Sequence, residues 1–250
     1  MTHPAVIKTA QLVLAGDIKA AEQALSHVAE TEGDTALIEL LDEIAPKDLL
    51  AIMREFDGSR ESILNLVVTP AQFAEVVILE KRYAEEGHER LRAMMNAVLY
   101  RDESMTVEYL ETLGEKDEGL AVLADYFADR VDEVLNFAIT GELQEDFSVP
   151  ETMEVKSIAW HSEKMEAIDE ALHDGDAILN SRPKQSRAEI ADHDWMETAW
   201  LLRNELTDTF EQTIITLRDR IARHMEAIHA PMSEQTSADA SPADEEESAL

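Results

Sequence analysis

Apolar residues along this chain recur every third or fourth position, the period of helices, and the stripes they make are short and regularly interrupted in the first hundred residues. In "AGDIKAAEQALSHVAE", Asp17 follows Gly16 as an N-cap, and Ile18, Ala21 and Leu25 repeat at helical spacing behind it. Residues 35–44 and 47–56 follow, joined at Pro46. Leu37, Leu40, Leu41 and Ile44, then Leu49, Leu50, Met53 and Phe56, give two apolar faces that predict an αα-hairpin. Asp57-Gly58 marks a turn, with Ser59 as the next cap. Thr69-Pro70-Ala71-Gln72 combines a Thr cap, Pro at the first helical position and a Gln placed to close a capping box. Isolated helices of about ten residues are marginal in water, so these must stack on one another. The pattern predicts an N-terminal superhelical, solenoid-like module of short helices.

From residue 70 the stripes lengthen. Phe73, Val76 and Val77 lead to Leu91, Met94, Met95, Val98 and Leu99. Leu120, Leu123, Phe127, Val131, Leu135 and Ala138 then predict one further amphipathic helix. The stretch 140–151, with Gly141 and Pro150, marks an internal boundary. Trp195, Ala199, Leu202, Leu206, Phe210, Ile214, Leu217, Ile221, Met225 and Ile228 recur without a Gly or Pro, which predicts a single helix of about 55–60 Å at 1.5 Å per residue. Residues 151–179, with Val155, Ile158, Met165, Ile168 and Leu172 on one face, supply its antiparallel companion. Beyond Pro231 there is no periodicity and no basic residue, so the acidic end is expected to be disordered. The expected organisation is a superhelical module over 1–147, a long helical hairpin over 148–230 and an acidic tail over 231–250.

The string Leu41-x-x-Ile44-x-Pro46-x-Asp48-Leu49-x-Ala51-Ile52 resembles the repeat of the cytosolic N-terminal superhelical domain of MgtE-type magnesium channels. The resemblance spans about residues 35–80. It implies a stacked helical module that docks against another surface.

Composition agrees with an all-α fold: among 250 residues there are only 8 Gly and 7 Pro, and aromatics make up 5%. No apolar run approaches the roughly 18–20 residues that cross a bilayer, and the start lacks the pattern of a signal peptide, so membrane insertion is not expected and a cytoplasmic location is. The absence of cysteine removes disulfides, thiolate metal sites and cysteine nucleophiles. A net charge of −33, from 54 acids against 21 Lys and Arg, repels a phosphate backbone and excludes nucleic acid as a partner. The charge points instead to a basic protein partner or to imitation of nucleic acid. Solubility or adaptation to salt accounts for it equally, since the acids are spread over every helix. The block Asp244–Glu247 resembles acidic translocation signals of specialised secretion substrates.

Candidate chemistry is sparse. No G-x-G, G-x-S-x-G or G-K-[ST] occurs, so dinucleotide, hydrolase-elbow and phosphate-loop signals are missing. E-x-x-H occurs at Glu85–His88, Glu170–His173 and Glu226–His229, the i, i+3 spacing that puts two metal ligands on one helix face. His88 lies beside a glycine near a helix start and His229 sits before Pro231, which leaves Glu170 and His173, with Asp174 and Asp176 nearby, as the basis of an alternative metal-binding helical-bundle enzyme. A solvated helix face explains the same residues, and no cofactor or metal is expected.

The tryptophans carry a sharper signal. At about 100° per residue, Trp160 points away from its apolar stripe, near Met153, and Trp200 lies off its stripe near Met196. Either the N-terminal module covers them as internal core, or they face a partner or a second copy docking on the C-terminal hairpin. The sequence thus predicts a non-enzymatic interaction protein, an adaptor or subunit of a cytoplasmic assembly.

Overall fold

The structure, a computed structural model, describes residues 2–56, 62–83, 88–144, 166–167, 183–191 and 194–238, with side chains described as far as residue 223. Within them the chain is helical throughout: α1 (Pro4–Leu14), α2 (Ile18–Glu32), α3 (Asp34–Leu41), α4 (Pro46–Glu55), α5 (Ile63–Val67), α6 (Pro70–Tyr83), α7 (His88–Leu99), α8 (Thr106–Glu115), α9 (Gly119–Tyr126), α10 (Val131–Thr140), α11 (Arg187–Ile190), α12 (Trp195–Glu205) and α13 (Thr207–Ala238). No strand occurs among the described residues.

The helix starts follow the local chemistry of the sequence. The Asp17 carboxylate accepts the Ala20 N–H at 3.2 Å. Thr69 and Gln72 close their box in both directions, Gln72 N–H to Thr69 Oγ1 at 3.4 Å and Thr69 N–H to Gln72 Oε1 at 3.1 Å. Pro46 opens α4 and Ser62 caps α5; Gly58 and Ser59 lie outside the described residues. All eight apolar residues of the expected 35–56 pair are buried. The two helices do not form the expected αα-hairpin, however: each packs on α2, and they share at most a marginal contact with each other, because residues 42–45 turn the chain so that α2 covers both apolar faces.

From α2 to α9, helices two apart in sequence lie side by side: in one rank α2 packs on α4, α4 on α6 and α6 on α8, and in the other α3 packs on α5, α5 on α7 and α7 on α9. Each rank is then met by a helix four places further on, α8 by α12 and α9 by α13. Each helix of about ten residues thereby covers its apolar face against neighbours it could not do without. α6 stands in the middle, touching α4, α7, α8 and α9. It is buried nearly all round, with Phe73, Ala74, Val76, Val77 and Ile78 shielded together with two polar side chains, Gln72 and Glu80. Those two are satisfied by α4 and its approach: Arg54 Nε donates to Glu80 Oε2 at 2.5 Å, and Gln72 Nε2 to Asp42 Oδ1 at 2.6 Å.

Two expected long helices are broken. The stripe from Leu120 to Ala138 ends its first helix at Tyr126 and passes through a 3₁₀ turn at Ala128–Arg130 before α10. The stripe from Trp195 to Ile228 is not one helix but α12 and α13, interrupted at Leu206 (φ −129°, ψ 57°, outside the helical well). The physical reason is tertiary. A straight rod over these residues would overhang the body, whereas folding back lets α12 lie on α8 and α13 on α9. Residues 151–179, the expected companion of the long helix, lie outside the described residues apart from 166–167. α13 continues through Pro231 to Ala238, and residues 239–250 lie outside the described residues.

The tyrosines give a pH prediction. Burial pushes the Tyr100, Tyr109 and Tyr126 phenols up from their ordinary value, whereas Tyr83 is exposed. An acid whose folded pKa lies above its unfolded value contributes stability that is complete below the unfolded pKa, about 10 for tyrosine, and is lost as pH rises above it. Arg203 and Arg101 act with the opposite sign, since burial pushes the Arg203 guanidinium down to about 10 and lowers the Arg101 guanidinium as well, but they are two groups against three. Stability is therefore expected to fall from about pH 10 upward. Tyrosinate absorbance followed alongside circular dichroism should show Tyr100, Tyr109 and Tyr126 ionising only as helicity is lost. Ionisation of these three with the fold intact would contradict the burial.

Candidate functional site

Of the four residues singled out as partner-facing, Met153 and Trp160 lie outside the described residues. Trp200 and Met196 sit on α12, close to where the chain re-enters the described fold. Met196 is buried in the chain's own core, at 7% exposure. Trp200 is half-buried against that core, and its indole N–H donates to Gln185 O at 2.8 Å. The polar edge of this tryptophan is thus satisfied inside the chain.

Gln185 explains that contact. Its side-chain oxygen accepts the Leu143 N–H at 2.6 Å while its amide donates to Leu143 O at 3.0 Å. Lys184 N–H donates to Gly141 O at 2.8 Å, and Lys184 Nζ lies 3.6 Å from Glu142. Gly141, in the left-handed region (φ 73°) at the end of α10, turns the backbone into this clasp, a conformation glycine adopts without strain. The two segments 141–143 and 184–185 are therefore pinned together, with Trp200 lying across the joint. Nothing in the sequence pattern paired Leu143 with Gln185, because two bonds to one amide side chain leave no periodic trace.

Behind α12 lies a buried polar seam. Tyr100 Oη and Thr198 Oγ1 are 2.5 Å apart, Tyr126 Oη lies 3.0 Å from the same Thr198 oxygen and donates to Asn96 Oδ1 at 2.7 Å. Glu197, 1% exposed, receives Arg187 Nε at 2.8 Å. These bonds tie α7, α9, α11 and α12 together, with Thr198, Tyr126 and Glu197 buried.

A second cluster centres on Asp125 of α9, 13% exposed at its side chain. Arg220 Nη1 from α13 reaches Asp125 Oδ1 at 2.6 Å, Lys81 Nζ from α6 reaches Oδ2 at 3.0 Å, and His88 Nδ1 from α7 stands 3.9 Å away. Arg220 also donates to Ala121 O at 2.9 Å. One carboxylate therefore joins side chains from three other helices. The readable sign was an acid in the otherwise apolar run "GLAVLADYF".

Among the described residues no three His, Asp or Glu side chains are grouped so as to hold a metal ion. Glu170, His173, Asp174, Asp176 and Glu85 lie outside the described residues, and the side chains of Glu226 and His229 do as well. No described helix is long and apolar enough to cross a membrane. Large apolar side chains exposed among the described residues are Ile7, Leu14, Ile38, Leu66 and Tyr83. Comparison with protein-family models, curated proteins and solved structures finds no match to this chain.

Proposed function

We propose that this chain is a non-enzymatic interaction protein, an adaptor or structural subunit of a larger cytoplasmic assembly, built as an α-solenoid. The observation that carries this reading is the packing of helices two apart in sequence into two ranks, α2–α4–α6–α8 and α3–α5–α7–α9, to which the C-terminal helices α12 and α13 are added. Stacks of this kind grow an extended outer surface rather than a single enclosed pocket, and that surface is what such folds use for binding. The stacking also agrees with the docking module implied by the resemblance of residues 35–80 to the superhelical domain of MgtE-type channels. A surface that carries most of a −33 charge selects for basic partners and is steered by long-range attraction, so the association is salt-sensitive.

The experiment is a native-size measurement. The tagged full-length chain, extracted without denaturation and sized at low and at molar salt, is expected to run well above its 28.0 kDa monomer at low salt and to lose a basic protein component at high salt. Migration as the bare 28.0 kDa chain at low salt would overturn the reading.

A further inference from the structure

Beyond binding a basic partner, we propose that the outer face of α1 is a self-association surface through which two copies of this chain pair face to face. α1 turns Val6 and Thr9 inward, with Ala5, Leu12 and Val13 half-buried beside them, and packs on α2 and α4. Its opposite face carries Ile7, 52% exposed, and Leu14, 90% exposed. Seven residues apart, these two stand on one stripe about 10 Å apart along the axis. Ala10 lies between them at the three-then-four spacing of a short coiled-coil seam, where a small residue leaves room for a facing side chain.

The distribution of charge identifies the occupant. Residues 1–28 contain two acids, Asp17 and Glu22, and two lysines, Lys8 and Lys19, so the whole −33 falls on residues 29–250. Residues 1–16 contain no acid at all. Glu43 and Glu32 reach α1 only at its N-terminal cap, beside His3 at 3.2 and 3.6 Å, so a basic partner gains less on the Ile7–Leu14 stripe than on the acid-rich surface. A second copy faces the reverse constraint: almost any other contact brings acid against acid, whereas α1 against α1 places the two charged bodies on far sides of the joint. Such a contact is isologous and self-closing, so it stops at a dimer. One helix of 11 residues offers well under the roughly 800 Å² per partner of a standard stable interface. The pairing is accordingly weak, concentration-dependent and strengthened when salt screens the residual repulsion.

Sedimentation velocity on the purified full-length chain across a concentration series, in low and in molar sodium chloride, tests this directly. The dimer fraction is expected to rise with concentration and with salt. The double substitution Ile7→Gln and Leu14→Gln is expected to leave a monomer throughout with an unchanged melting temperature, since both side chains project outward. Leu14→Gln alone, at the more exposed position, should weaken the dimer at least tenfold and guards against a folding defect at Ile7. A wild-type chain that stays monomeric at high concentration in molar salt would overturn the proposal, as would a double variant that dimerises like wild type.

Discussion

Replacing Gly119 with alanine is expected to lower stability by about 3 kcal/mol, at the upper end of the usual cost of overpacking. For a chain of this length that corresponds to a melting point lower by about 6–12 °C. The cause is space rather than torsion. A Cβ at Gly119 would stand 1.7 Å from Leu113 O and 2.8 Å from Leu113 C, both backbone atoms that cannot rotate aside. The turn that brings them together is bonded at both ends, Lys116 N–H to Leu113 O at 3.1 Å and Gly119 N–H to Lys116 O at 2.9 Å. Opening it displaces the start of α9, which packs on α6, α7, α8 and α13. Gly114 provides the contrast. Its added Cβ would meet Thr209 Cγ2 at 2.7 Å and Oγ1 at 3.0 Å, two branches of one side chain on a neighbouring helix rather than backbone, and the shift that relieves them is offset by the up to about 1 kcal/mol that alanine regains over glycine within a helix. Gly114→Ala is therefore expected to stay within about 1 kcal/mol of wild type. Thermal unfolding of both variants decides the matter: equal shifts would show that the backbone clash is not the controlling contact.

The same loop shows what the sequence made legible and what it did not. "LGEKDEG" announces a break between two helices through its glycines and charges, and the break is there. That Gly119 is required by a carbonyl six residues earlier is a three-dimensional fact with no local signature. Helix starts were readable wherever a side chain closes back on its own turn, as at Asp17 and at Thr69 with Gln72, because that chemistry is complete within four residues. The buried faces of α3, α4 and α7 were readable because periodicity follows burial.

Helix length was less readable. Apolar periodicity runs without interruption through Leu206, yet the chain folds back there, since a stripe records which side is buried and not whether the axis stays straight. The sign that existed was the run Thr207-Asp208-Thr209, residue types that favour helix starts, set within the stripe. The tryptophan reading turned on the same ambiguity. Trp200 is half-buried against the core, and what its indole N–H meets is Gln185 of its own chain. Angle gives direction and leaves the neighbour unnamed.

The second large effect concerns Asp125, and here the sign of the result is the test. In a chain of net charge −33, removing one acid is expected to stabilise the fold if the charges act as a diffuse, self-repelling cloud. Asp125 should do the opposite. Its carboxylate holds Lys81 and Arg220, from α6 and α13, at 3.0 and 2.6 Å, and Asp125→Ala leaves two partly buried cations facing each other with no anion between them. Stranding partners in this way costs more than an exposed pair is worth. The 3–5 kcal/mol seen for fully buried pairs falls to about 2 kcal/mol once the partners' partial exposure is discounted. The expected melting point is lower by about 4–8 °C. Glu39→Gln, at an exposed acid of α3, is the control, and it should leave stability unchanged or slightly raised. Molar salt should stabilise the wild type by screening the surface charge while leaving most of the Asp125→Ala deficit in place, since contacts below 3.1 Å are screened far less than those separated by a Debye length of about 8–10 Å. An Asp125→Ala variant as stable as wild type would show that solvent, with the Ala121 carbonyl for Arg220, suffices for the two cations, and that α13 keeps its place on α9 without this carboxylate.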